Sequence, residues 1–225
     1  DIHQKMIFHP VPKGDFLMGE KGEKKPATIE HDFEAMSTPV TQKHWQDLTG
    51  ENPAHFADGN KNLDHPIENI TWWSALVFAN TLSSNHGYEP VYDLSGIEFV
   101  GSAAQGTLTS VDKEAYPKIK QTNGFRLPTD IEQEYLLRAG GTQGGEFAFG
   151  DDKDQLKLYA WYVENSGGKP HPVGEKLQII INGNPIYDLH GNVWEWGEDR
   201  TGPCRVIRGG GWYDDAGYLR SADRY

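Results

Sequence analysis

The sequence predicts an α+β fold with much irregular structure, and three observations carry that prediction. Two stretches show helical apolar periodicity behind a capping threonine, at Thr71 and at Thr129. Short apolar runs such as Phe16-Leu17-Met18, and the alternation of Gly191-Asn192-Val193-Trp194-Glu195-Trp196, have the period of strands. The chain also carries 26 glycines and 13 prolines in 225 residues, which breaks it too often for long regular elements. No internal repeat, low-complexity linker or second hydrophobic core interrupts it, so residues 1–225 read as one domain.

In chain order, Met6-Ile7-Phe8 and Asp15–Gly19 read as strands of a hairpin joined through Pro10-Val11-Pro12-Lys13-Gly14. Lys21–Lys25 is a charged loop and Ala27–Met36 a strand. Thr41 caps a helix with Trp45 and Leu48 on one face, and Gly50 ends it. Residues 52–62 are loop, and Pro66–Ile70 is a short strand. Thr71 caps a helix over Trp72–Asn85, whose apolar stripe is Trp72, Ala75, Leu76, Ala79 and Leu82, with His86-Gly87 as its stop. Residues 91–94 and 97–116 hold weak strand patterns. Thr129 with Glu132 three positions on forms a capping box for a helix reaching about Ala139, before Gly140-Gly141. Residues 141–186 read as mostly loop. Gly191–Trp196 then reads as a half-buried strand, with Trp194 and Trp212 in the core.

Composition narrows the function. Hydrophobic content is 36% and mean hydropathy -0.67, low for a globule of this length, but aromatics at 12% with seven tryptophans supply large buried areas. A net charge of -12 argues against nucleic acid and against adsorption on anionic membranes. No apolar run approaches the roughly 20 residues of a membrane-spanning helix. Asp1-Ile2-His3-Gln4 does not read as a signal peptide, so the sequence is expected to begin after processing or at a boundary. A single cysteine, Cys204, excludes an internal disulfide.

The last stretch is unlike the rest. Packing residues Ala216, Leu219 and Ala222 and the arginines Arg220 and Arg224 alternate there with Tyr213, Asp214, Asp215, Gly217, Tyr218, Asp223 and Tyr225, a set that follows neither a helical nor a strand period. Gly191-Asn192-Val193-Trp194-Glu195-Trp196 followed by Arg208-Gly209-Gly210-Gly211-Trp212 resembles the formylglycine-generating-enzyme/sulfatase-modifying-factor family. Phe16-Leu17-Met18-Gly19, Gly124-Phe125-Arg126-Leu127-Pro128-Thr129, Phe149-Gly150-Asp151 and Pro172-Val173-Gly174 extend that resemblance over most of the chain. It implies a C-type lectin fold of the formylglycine-generating-enzyme subtype. The framework Trp212, Ala216, Leu219-Arg220-Ser221-Ala222 and Arg224 further resembles the variable region of treponemal variable proteins, which diversity-generating retroelements mutate at adenines. All seven intervening residues can be reached from AAY codons by changing adenines alone. Members of the wider family run on to a strand ending in Gly-Phe-Arg, whereas this sequence stops at Tyr225.

That resemblance sets the chemistry to be weighed. The family's oxidase uses a cysteine pair near the C-terminus to bind copper, and no cysteine follows Arg208-Gly209-Gly210. Cys204 is expected to be a structural loop residue, and the chain is not expected to be an enzyme. The nine histidines show no metal-binding spacing, and His190 reads as a hydrogen-bonded structural residue. Asp188, the carbonyls of Gly191 and Val193, and Glu195 resemble the family's structural calcium site. The alternative, a carboxylate capping backbone amides in that loop, stays equally open. No cofactor is otherwise required. The expectation is a monomeric, variable ligand-binding protein that meets a protein or peptide through Tyr213, Asp214, Asp215, Gly217, Tyr218, Asp223 and Tyr225, with 212–225 as its variable region. By resemblance it is displayed at the bacterial cell surface or outer membrane, as a lipoprotein anchored through a residue before Asp1. A catalytically inactive family paralogue, or an unrecognised enzyme of the family, is the alternative.

Overall fold

The computed structural model of the chain describes residues 5–59 and 61–225, so the reading of Asp1–Gln4 lies outside the described residues. Strands β1 (Phe8–Val11), β2 (Gly14–Met18), β3 (Lys25–Ile29) and β4 (Phe33–Met36) make one long antiparallel ribbon. β2 pairs with β3 from Gly14↔Ile29 to Met18↔Lys25, and β1 with β4 from Phe8↔Met36 to Val11↔Phe33. At the joint Pro12 and Lys13 stand opposite Glu30, His31 and Asp32, one residue more, so the register slips there. The Lys13 N–H donates to Asp32 Oδ1 across the gap at 2.9 Å. The hairpin expected between residues 6–8 and 15–19 is therefore not formed. Those strands follow one another along one side of the ribbon, and the turn is made at 19–24, where Gly19 and Gly22 have φ of 107° and 93°.

Helix α1 (Gln42–Thr49) begins at Thr41, whose hydroxyl accepts from the His44 N–H, and ends at Gly50 in the left-handed region. Helix α2 (Trp72–Asn85) carries its whole predicted stripe into the core, and Phe78 stacks on Trp45 of α1 with centroids 4.8 Å apart. Pro66–Ile70 is not a strand. Pro66 has no N–H to give a ladder, and Asn69 at φ 61° turns the chain, which leaves one bridge to Thr41. Strands β5 (Tyr92–Asp93), β6 (Phe99–Val100), β7 (Thr109–Ser110) and β8 (Lys118–Ile119) form two short pairs, β5 with β8 and β6 with β7.

Helix α3 (Asp130–Leu137) has the expected capping box: Thr129 Oγ1 accepts from the Glu132 N–H and Glu132 Oε2 from the Thr129 N–H. It packs on the ribbon through Tyr135, Leu136 and Ala139, which meet Val11, Phe16, Ile29 and Ala35. The stretch 141–186 holds more than loop. After a short α4 (Leu156–Tyr159), β9 (Ile179–Ile181) and β10 (Asn184–Ile186) pair as a hairpin. Its turn is Asn182-Gly183, at φ 49° and 77°, the pairing that a two-residue hairpin loop requires.

The final pair is β11 (Glu195–Thr201) with β12 (Cys204–Arg208). The strand expected over Gly191–Trp196 starts only at Glu195. Asp188 and Asn192 have φ of 56° and 62°, so the chain coils through Gly191 and Asn192, both buried, before it extends. Tyr225 lies along the other edge of β12, where it and Ile207 exchange backbone hydrogen bonds of 2.7 and 3.1 Å.

At the centre lies a dry ion-pair network. Glu134 accepts from Arg138 Nε and Nη2 through one oxygen and from Arg208 Nη2 through the other, and all three side chains are at most 2% exposed. Arg208 Nε also donates to Asp130 Oδ1 at 2.6 Å. Removing one partner strands buried charge. Glu134→Ala is expected to cost about 3–5 kcal/mol in denaturant unfolding, against about 1 kcal/mol for loss of the α3 cap in Thr129→Ala. Equal costs would show that the network is not the keystone.

Candidate functional site at the C-terminal face

The segment after Gly211 is irregular apart from one turn of 3-10 helix at Ala216–Leu219, yet its backbone is held at close intervals. Ser166 Oγ donates to the Trp212 carbonyl at 2.8 Å, and the Trp212 N–H donates to the Asn192 carbonyl. The Val163 N–H donates to the Asp214 carbonyl, and His190 Nδ1 bonds the Leu219 carbonyl at 2.6 Å. Arg208 Nη1 reaches the carbonyls of Ser221 and Asp223 at 3.0 and 3.3 Å. Ser221 Oγ donates to the Leu137 carbonyl, and Arg220 Nε to that of Gly217. Leu219 is fully buried among Phe147, Leu156, Ala160 and Tyr162, while Ala216 and Ala222 are half-buried. The glycine run before this segment is sterically required: Gly210 has φ 77°, and a Cβ there would lie 2.6 Å from Leu219.

On this backbone Tyr213, Asp215, Gly217, Tyr218 and Tyr225 are exposed, and Asp214 and Asp223 are half-buried. Several of them meet. The Tyr218 and Tyr225 rings lie 5.7 Å apart, and Tyr225 packs edge-on to Trp194 at 5.5 Å. Tyr213 packs edge-on to Trp212, and Trp212 to Phe56 of the 52–62 loop. Gly211 joins the two groups, since Trp194, Tyr213 and Asp214 all approach the place where its Cβ would be. Trp194 and Trp212, expected in the core, are half-buried members of this face. They end there because the chain coils before Trp194, and the Trp194 Nε1–H finds Asp214 Oδ2 at 2.7 Å. Asp214 also accepts from the Gly211 N–H at 2.8 Å, so its carboxylate helps to shape the loop. Phe56 and His55 could be placed at this face only by the fold, because nothing in their local sequence separates them from ordinary loop residues.

Arg220 donates to Glu20 and Arg224 to Asp130, so both arginines tie the segment down. His190 is buried, with Nε2 accepting from the Ala148 N–H and Nδ1 therefore donating to Leu219. Burial pushes its pKa down to about 4. Cys204 is exposed at the tip of the β11–β12 hairpin. Upstream, Asp188 accepts from the Gly174 N–H at 2.7 Å and from Asn192 Nδ2. Burial pushes Asp188 up to about 6, and burial with the repulsion of Asp188 pushes Glu195 to about 7. Two carboxylates that repel one another, Asp188 buried and Glu195 half-buried, are oxygen donors of the kind a hard cation takes. The Asp188 bond to Gly174 is equally what a capping carboxylate would make. Among the described residues no three His, Cys, Asp or Glu side chains cluster as a metal site, and no helix is long and apolar enough to cross a membrane.

This is the formylglycine-generating-enzyme type of C-type lectin fold, with an aromatic and acidic face built on its last segment. The chain belongs to the sulfatase-modifying-factor family: the model of the sulfatase-modifying factor enzyme 1-like domain matches residues 3–225. Among solved structures it is similar to Treponema denticola variable protein 1, with TM-score 0.75 and 28% identity over 97% of this chain and 88% of that one. It is 31% identical to the chaperone protein LppX of Paenibacillus barcinonensis, over 90% of this chain and 77% of that protein. It is 33% identical to the inactive C-alpha-formylglycine-generating enzyme 2 of Mus musculus, over 92% and 74%.

Two outcomes follow from this geometry. Replacing Tyr213, Asp215, Gly217 and Tyr218 by serine should change unfolding free energy by no more than about 0.5 kcal/mol each. Asp214→Ala, which strips an acceptor from two donors, should cost about 1–2 kcal/mol. The reverse order would make the tyrosines structural. Because the folded pKa of His190 lies below its unfolded value, its contribution is complete above about pH 6.5 and is lost as pH falls toward 4. Acidification to pH 4.5 should therefore remove on the order of 2 kcal/mol, a loss that His190→Gln should abolish. An unchanged pH profile in that variant would contradict the assignment.

Proposed function

We propose that the chain is a non-catalytic, surface-displayed binding protein. Its segment 212–225 is the variable region of a single domain, diversified by a retroelement, and Tyr213, Asp214, Asp215, Gly217, Tyr218, Asp223 and Tyr225 are the binding side chains. One observation carries the reading: none of the seven is buried, while fixed residues outside the set hold the carbonyls of the same segment. A backbone held in this way tolerates changed side chains and keeps the ordering cost of binding low. Tyrosine adds a rigid, amphipathic contact surface. The partner is a protein or peptide, met by a monomer. Similarity to the treponemal variable protein supports the reading, and so does a relative described as inactive. The sole thiol lies on a hairpin tip, which supports a role without the oxidase's cysteine pair.

Sequencing the locus across a cell population tests this. Variation should concentrate in codons 213, 214, 215, 217, 218, 223 and 225, beside a near-identical template repeat and a reverse transcriptase gene. Invariant codons with neither neighbour would favour a second reading, a catalytically inactive paralogue with a constant partner, which the mouse relative suggests.

We also assign Asp188, Glu195 and the carbonyls of Gly191 and Val193 to a structural calcium ion, which would neutralise the two carboxylates. Adding calcium to chelator-treated protein should raise Tm, and the gain should vanish in Glu195→Gln. An unchanged Tm would leave Asp188 as a cap for Gly174.

A further inference from the structure

The face carries a feature that does not vary with the seven positions. Trp194 lies outside the set, stands half-exposed, and packs against Tyr225 at an interplanar angle of 85°. Tyr218 also packs against Tyr225, at an interplanar angle of 42°. Tyr218 and Tyr225 are exposed and Trp194 is half-buried, so ring surface is open to a ligand, and an aromatic face is the negative part of its quadrupole. Two carboxylates border the same rings. Asp214 is bonded to the Trp194 indole, and Asp214 and Asp223 both raise the Tyr225 phenol pKa, after the larger effects of its hydrogen bond to Tyr218 and of burial.

The cations nearby are already paired. Arg208 is committed to Asp130 and Glu134, Arg224 to Asp130, and Arg220 to Glu20 at 2.8 Å and to Asp223 at 3.8 Å. Asp223 Oδ2 is enclosed and receives no hydrogen bond among the described residues. The face therefore offers exposed rings and the Asp214 carboxylate, which forms no ion pair among the described residues, on a chain of net charge -12. Apolar surface continues from it along Tyr213, Trp212 and Phe56.

Resting on the reading of this face as the binding site, we propose that it takes a lysine or arginine side chain of an extended peptide. The cationic group sits against the rings of Trp194, Tyr218 and Tyr225, beside Asp214. Neighbouring apolar residues of the peptide lie along Tyr213, Trp212 and Phe56. Trp194 serves as a constant aromatic wall, so chains with other residues at the variable positions keep one side of the cation site and differ in the other.

The test is selection of a random peptide library on the folded full chain, run in parallel on a Tyr213→Ser, Tyr218→Ser, Tyr225→Ser triple variant. Peptides specific for the parent chain should be enriched in lysine or arginine. Replacing the enriched arginine by citrulline, or the lysine by norleucine, should weaken binding roughly tenfold. Asp214→Asn, which keeps an acceptor oxygen for the Trp194 and Gly211 N–H groups, and Trp194→Leu should each weaken it severalfold, and Trp194→Phe, which keeps a ring, should weaken it less. Tm of each variant separates loss of binding from loss of fold. Parent-specific peptides without basic enrichment, or with binding unchanged by citrulline, overturn the cation site and leave the binding face standing. Peptides that bind parent and triple variant alike overturn the binding face itself.

Discussion

Glu134 accepts from four donors in a place that water does not reach: Arg138 Nε and Nη2, Arg208 Nη2 and the Gly19 N–H. Each arginine then reaches outward. Arg138 donates to the carbonyls of Gly19 and Gly145, fixing the turn of the N-terminal ribbon and the loop after α3. Arg208 holds the carbonyls of Ser221 and Asp223. One carboxylate on α3 thus couples the ribbon, the last strand and the C-terminal segment. Two apolar residues of similar volume could match the burial energy, but they could not hold carbonyls of an irregular segment at fixed places.

That distinction explains how an irregular segment can be both ordered and replaceable. A regular strand would have fixed its side chains by period, half of them inward. Here the inward duties fall on Leu219 and Ser221, and the carbonyls are held by His190, Ser166 and Arg208. The remaining side chains are left on the surface with little to do for the fold. Asp214 is the exception, because its carboxylate takes the Gly211 and Trp194 N–H groups. A substitution there changes the shape of the loop as well as its charge, so it should be the least freely exchanged of the seven.

Local chemistry was legible in the sequence, and partner choice was not. Helices α1, α2 and α3 start at Thr41, Thr71 and Thr129 as their capping residues indicate, because a cap is satisfied within a single turn. The N-terminal ribbon escaped because nothing near Phe8 says that its partner is Met36 rather than a neighbour ten residues on. The alternation of Gly191–Trp196 misled because Asp188 and Asn192 adopt left-handed backbone, which Asp and Asn tolerate better than most residues, and the Trp161 carbonyl takes the Asn192 N–H. The Asn182-Gly183 turn between β9 and β10 carries a local hairpin signature that the reading of 141–186 as mostly loop passed over. At the face the seven positions stand out by their lack of period, whereas Trp194, Phe56 and His55 join them only through the fold.

The central claim is that fixed residues, and not the exchangeable side chains, hold the backbone of 212–225. Native-state amide hydrogen exchange measures this directly in a set of chains with unrelated residues at 213, 215, 217, 218 and 225. Protection at the Trp212, Ser221 and Tyr225 amides, all bonded to carbonyls outside the exchanged positions, should be the same across the set. Protection that rises and falls with the side chains installed would contradict the claim and make the segment's order a property of its own surface residues.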